Sequence, residues 1–336
     1  MIIVYGFLLV LIAGFFQGTF ILPMTMTKKW QWEHSWVTFS LFGMLVFNWI
    51  IALILFPNIF SILGMAASRD LLFIILFGAG WGIGAVLFGL GMDKLGMALG
   101  YPIIMGIIAS LGALIPLLIF FPDAMLQTKG IVLLIGVIVT ILGIIVCSQA
   151  GVKKQPKAAA TTTKGSTITV GLIIAIFAGI LSCLPNVGMA FGSNLVQAAV
   201  DSGVSKTIAG NIVWSLFFTI GFLVNFAYCL YLMLIHKNYR DYFNPHTGKN
   251  ILWGFLMAIM WIGSFYLYGI SAVQLGRWGV IVGWPLFISL SIIVGNLWGL
   301  WKGEWKGAAR QARMLLYYGM SLLIVAVIII AISNSL

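Results

Sequence analysis

The chain is 336 residues long, 62% hydrophobic and only 7% charged, a composition outside the range of soluble globular domains. Its formal charge of +11 would suit a nucleic-acid binder, but the lysines and arginines are confined to short segments between apolar runs. There the expected partner is the lipid bilayer and not nucleic acid.

A helix crossing the roughly 30 Å hydrocarbon core needs about 20 apolar residues, and only helices or closed barrels satisfy their backbone there. Ten runs reach that length, over residues 2–24, 36–56, 71–91, 95–119, 130–149, 168–190, 208–235, 251–271, 279–300 and 314–333. They are continuous rather than alternating and far exceed the roughly 9–11 residues of a barrel strand. The predicted fold is an all-α membrane protein of ten transmembrane helices. The first run lacks a basic n-region and is expected to be retained as a helix. Cys147, Cys183 and Cys229 lie inside runs, without disulfide or metal spacing, and read as small core residues.

Fourteen of the eighteen lysines and arginines fall in the odd-numbered loops. The even-numbered loops hold only Arg69, Lys129, Lys206 and Arg277. By the positive-inside rule the odd loops face the cytoplasm, which puts both termini outside. The most polar linker, 151–167, carries four lysines and reads as a cytoplasmic hinge between a first five-helix half, 1–150, and a second, 168–336. Five is odd, so the second half enters the membrane with opposite polarity, the arrangement of an inverted repeat. Trp81 precedes Leu95-Gly96 by the same interval that separates Trp261 from Leu275-Gly276, and Phe88-Gly89 falls in register with Tyr268-Gly269.

Several segments together resemble the L-rhamnose/proton symporter family of the drug/metabolite transporter superfamily. They are Gln17-Gly18-Thr19-Phe20-Ile21-Leu22-Pro23-Met24, Trp30-Gln31-Trp32-Glu33, Trp81-Gly82-Ile83-Gly84 with Leu95-Gly96-Met97, the stretch Asn186 to Asn194, and Glu304-Trp305. The resemblance spans nearly the whole chain. It implies ten helices and uptake of a small sugar, rhamnose or a related monosaccharide, with H+ or Na+ as coupling ion, across the cytoplasmic (inner) membrane.

An intramembrane enzyme would need a nucleophile with a base, an acid pair or a metal site. His34, His236 and His246 fall at loops or helix ends, and no carboxylate lies near the middle of a run. No catalytic residue, metal or cofactor is expected. A sugar site uses amides, hydroxyls and aromatic faces, and amides at membrane depth should face the bundle interior. The candidates are Gln17, Asn186 and Asn211 with Trp214, together with the interior tryptophans Trp81, Trp261 and Trp284 and the tyrosines Tyr101 and Tyr268. For each amide the alternative is a helix–helix hydrogen bond, and for each ring, core packing. Asn48, Asn225 and Asn296 are read as structural. Gln17, Trp81, Asn186 and Trp261 are expected to line one cavity.

Trp30, Trp32, Trp36, Trp298, Trp301 and Trp305 are read as an interfacial belt. Pro102, Pro185 and Pro285 should loosen their helices. Glu33 is the coupling candidate by resemblance; its alternative is an interfacial carboxylate paired with Lys28 or Lys29. The expected function is sugar import by alternating access. An exporter of metabolites or drugs on the same fold is the alternative, and an intramembrane enzyme the third.

Overall fold

The computed structural model describes the backbone of residues 2–154 and 165–336. Among them ten helices are long and apolar enough to cross a membrane: α1 (Val4–Met26), α2 (Trp32–Leu55), α3 (Ser68–Met92), α4 (Gly100–Phe120), α5 (Thr128–Lys154), α6 (Ile168–Phe191), α7 (Lys206–Ile235), α8 (Thr247–Gln274), α9 (Gly279–Trp301) and α10 (Arg310–Ser335). No strand occurs among the described residues. The protein is a multi-pass, all-α membrane protein. Gly151 to Lys154 of the expected hinge continue α5, and 155–164 lie outside the described residues.

Where the helices deviate from regularity, the sequence supplies the cause. The backbone stays helical from Ser68 to Phe120, yet a Cβ built on Gly100 would stand 3.3 Å from the Gly91 carbonyl oxygen. Nine residues of straight helix would separate that pair by roughly 13 Å, so the chain doubles back between Gly91 and Gly100. In α6 the helix Gly165–Ser182 gives way to Leu184–Phe191. Pro185 lacks an N–H and crowds the preceding turn, as expected. Pro102 and Pro285, by contrast, sit inside unbroken helix. A π-helical stretch, Leu41–Phe47, interrupts α2 just before Asn48.

The chain forms two compact units. Unit one comprises Met1–Ile83 and Gly188–Gln274, and unit two comprises Gly84–Val187 and Leu275–Leu336. Each takes helices from both sequence halves.

Inside unit one, α3 packs on α7 through glycines one turn apart. A Cβ on Gly78 would strike the Phe217 carbonyl, and one on Gly82 would stand 2.8 Å from Val224. Without a hydrophobic driving force between helices in lipid, such close backbone approach supplies the attraction. Asn48 Nδ2 ties α2 to α7 by donating to the carbonyls of Trp214 at 3.0 Å and Ser215 at 3.2 Å. The Tyr266 hydroxyl reaches Asn48 Oδ1 at 3.1 Å. Asn225 accepts from Trp36 Nε1 at 2.9 Å. Both amides are helix–helix ties, as read from the sequence.

Inside unit two, α5 and α10 meet through Gly136 against Ile330, Gly143 against Leu323, and Gly319 against Cys147. The three cysteines are free and buried.

Candidate functional site

The aromatic candidates of unit one form one cluster. Trp81 on α3 stacks on Trp261 of α8, ring centroids 5.8 Å apart and planes 22° apart. Phe218 of α7 touches both, at 5.4 and 4.7 Å, and lies parallel to Trp214 at 5.1 Å. Trp214 Nε1 donates to Asn211 Oδ1 at 3.0 Å, and Asn211 Nδ2 donates to the Tyr266 carbonyl at 3.2 Å. Tyr268 is fully buried next to Gly269, where an added Cβ would collide with the Asn211 amide. Half-buried Gln17 accepts from Ser264 Oγ at 2.8 Å, one turn from Trp261. Gln17, Trp81 and Trp261 therefore share a unit, together with Asn211, Trp214 and Tyr268.

Asn186, Trp284 and Tyr101 belong to unit two. Asn186 Nδ2 donates to the carbonyls of Gly112 at 2.6 Å and Val280 at 2.9 Å. Trp284 Nε1 donates to the Ile108 carbonyl at 2.9 Å. Both side chains are thus fastened to one stretch of α4, and Gly112 is required because a Cβ there would enter the Trp284 indole. Tyr101 stands apart from them and lines a cavity with Ser148 and Asn296. Arg277 lies over the Phe121 ring, 4.9 Å from its centroid.

Glu33 is not an exposed partner of Lys28 or Lys29. It lies in the first turn of α2, 4% exposed, where the helix N-terminus favours an anion. Asn238 Nδ2 donates to its Oε1 at 2.6 Å, and His236 Nδ1 lies 2.9 Å from the same oxygen. The neighbouring His34 holds this arrangement from the other side. Its Nδ1 accepts from the Gln31 backbone N–H at 3.0 Å, so the hydrogen sits on Nε2, which donates to the Asn238 carbonyl at 3.0 Å. His34 is fully buried; His236 is half exposed.

The role of the 236–238 turn was invisible in sequence, since His236 read only as a helix end. Lys237 at φ 53° marks the tight turn that brings His236 and Asn238 back toward α2.

The interfacial belt also needs correction. Trp30 is buried, stacks on Tyr242 at 4.7 Å and donates to its carbonyl at 3.0 Å. Trp305 is buried beneath Lys154. Trp32 and Trp301 remain exposed. Among the described residues no group of three or more His, Cys, Asp or Glu is placed to hold a metal.

A family model for the L-rhamnose-proton symport protein (RhaT) matches residues 1–335. Similar proteins include the L-rhamnose-proton symporters of Yersinia pestis (strain Pestoides F) and Yersinia pseudotuberculosis serotype O:1b (strain IP 31758). Each is 28% identical over 331 residues, covering 96% of this chain and 96% of the relative. These relatives are named as transporters and not as enzymes. A match over the whole of a ten-helix membrane chain shows that this protein belongs to the L-rhamnose-proton symport protein family.

Proposed function

We propose that this protein imports L-rhamnose or a closely related monosaccharide together with a proton, across a bacterial cytoplasmic membrane. The whole-chain family match, with relatives named L-rhamnose-proton symporters, is the observation that carries the reading. Transport proceeds by alternating access of two inverted five-helix repeats, 1–150 and 168–336, with both termini outside. The loop-charge asymmetry and the odd number of spans per half support that topology.

Glu33 is the proton-coupling carboxylate in this proposal. A coupling carboxylate must be shielded from bulk water, able to lose and regain its proton, and held by groups that favour its anion. Burial, the hydrogen bond from Asn238 and the adjacent His236 support that role. Half-exposed His236 offers a route for protons between Glu33 and the aqueous phase. Within unit one, Gln17, Trp81 and Trp261 are the sugar-facing candidates, combining an amide with two aromatic faces suited to a deoxyhexose. Asn211, Trp214 and Tyr268 support those rings from behind, and Asn186 and Trp284 orient α4.

Uptake of labelled L-rhamnose by proteoliposomes tests the proposal. An inward proton gradient should drive accumulation that a protonophore abolishes, and an inward sodium gradient alone should not. Absence of proton-driven accumulation for every monosaccharide tried overturns it.

A further inference from the structure

Unit two contains a cavity of about 350 Å³, within the roughly 300–1,000 Å³ range of small-molecule sites. It is lined by Tyr101 of α4, Ser148 of α5, Asn296 of α9 and the Trp305 indole, and rimmed by Lys154 and Glu304. From sequence Asn296 reads as structural and Trp305 as interfacial, and neither reading places them beside Tyr101 and Ser148.

The Ser148 hydroxyl identifies the cavity as a built site. Serines elsewhere in these helices return their proton to a carbonyl one turn back, as Ser110 does to Gly106 at 2.6 Å, Ser291 to Ile288 at 2.8 Å and Ser333 to Ile330 at 2.7 Å. That is the usual way to satisfy a hydroxyl in an apolar helix. Ser148 is 6% exposed, and its Oγ has no hydrogen-bond partner among the described residues. A buried hydroxyl left in this state is destabilising unless a ligand or water satisfies it. Asn296 Nδ2 donates one hydrogen to the Ile292 carbonyl at 2.9 Å, which leaves its second N–H and Oδ1 to offer a ligand. A hydroxyl donor, an amide acceptor, a phenol and an indole around one small volume suit a neutral polyol. Among the described lining residues Lys154 is the one cation, and it is paired with Glu304, which favours a neutral ligand over a phosphate.

The rim supplies a gate. Lys154 Nζ and Glu304 Oε2 are 3.4 Å apart, with side chains 29% and 54% exposed, and Lys154 also lies 4.8 Å over the Trp305 ring. A pair this exposed is held only weakly, so it can open and re-form readily.

We infer that this cavity is a monosaccharide subsite, entered past the Lys154–Glu304 pair at the end of unit two where α5 runs toward residues 155–164. The inference rests on the sugar-transport reading for the identity of its ligand. Ser148 and Asn296 hydrogen-bond the sugar hydroxyls, and Trp305 packs against the ring.

A 6-deoxyhexose carrying a small diazirine, photolysed on the full-length purified protein, should label peptides containing Tyr101, 147–154 or 291–305. Excess unmodified L-rhamnose should suppress that labelling, and S148V and N296L should each lower it three- to tenfold. Should S148V fail to accumulate, S148A, which only removes the hydroxyl, takes its place. Uptake by wild-type proteoliposomes is measured in parallel. Uptake without labelling of these segments, or labelling indifferent to L-rhamnose and to both variants, overturns the subsite and leaves the transport reading standing. Failure of any monosaccharide to be taken up or to compete overturns both.

Discussion

Trp81 and Trp261, 180 positions apart in the chain, lie face to face with ring centroids 5.8 Å apart. Each precedes a Leu-Gly pair by the same interval in sequence, and Phe218 closes over both. Their stacking joins α3 to α8 inside unit one, so each indole serves as packing as well as a candidate sugar face.

Substitution at this pair separates the two roles. Truncating a core tryptophan costs about 3–5 kcal/mol, so W81A and W261A should each lower folded yield and melting temperature sharply. W81F and W261F should keep the fold. A double-mutant cycle on the phenylalanine variants, read by thermal melts, should yield a coupling of about 0.5–1.5 kcal/mol; additive effects would show that the stacking contributes nothing.

Glu33→Gln preserves shape and hydrogen-bonding reach while removing the titrating proton. Proteoliposomes carrying E33Q should lose sugar accumulation driven by a proton gradient but retain sugar exchange at equal pH. Asn238→Ala should keep accumulation while shifting its pH dependence, since it withdraws the 2.6 Å hydrogen bond that favours the carboxylate. Unchanged accumulation in E33Q would remove Glu33 from the coupling step.

The glycines at helix crossings make a steric prediction. A methyl group at Gly78 would meet the Phe217 backbone, and one at Gly112 the Trp284 indole. Overpacking of this kind costs about 1–3 kcal/mol, so G78A and G112A should reduce the monodisperse fraction in size-exclusion chromatography. At Gly64 the same methyl meets nothing within 4 Å, and G64A, in the short helix Ile59–Met65, should be neutral or slightly stabilising.

Orientation is checked by cysteine accessibility in a background lacking the three native cysteines. Cysteines introduced at 302–313 should react with impermeant reagents only from the cytoplasmic side, and one at Leu336 only from outside. Reversed labelling would invert the proposed topology and leave the ten-helix fold intact.

The span boundaries were legible because hydropathy is a local property. The run predicted at 208–235 is found as Lys206–Ile235, and that at 279–300 as Gly279–Trp301. One error at a helix start concerns α2, expected from residue 36 and found from Trp32. Glu33 and His34 looked like loop residues because they are polar, yet both are buried by the 236–242 turn. Trp30 misled for the complementary reason: an indole near a helix end has the same composition signal whether it meets lipid headgroups or, as here, a tyrosine ring.

By itself the sequence determined that this is a ten-helix membrane protein, and the central residues of each helix. A bilayer forces every spanning segment to declare itself as a long apolar run. Only the tertiary structure decided which polar side chains meet. Glu33 finds His236 and Asn238 more than 200 positions away, and Tyr101 finds Ser148 and Asn296 around one cavity. Helix pairing in lipid depends on close-fitting small residues and a few hydrogen bonds rather than on a hydrophobic pattern, and those matches arise only between surfaces that the fold brings together.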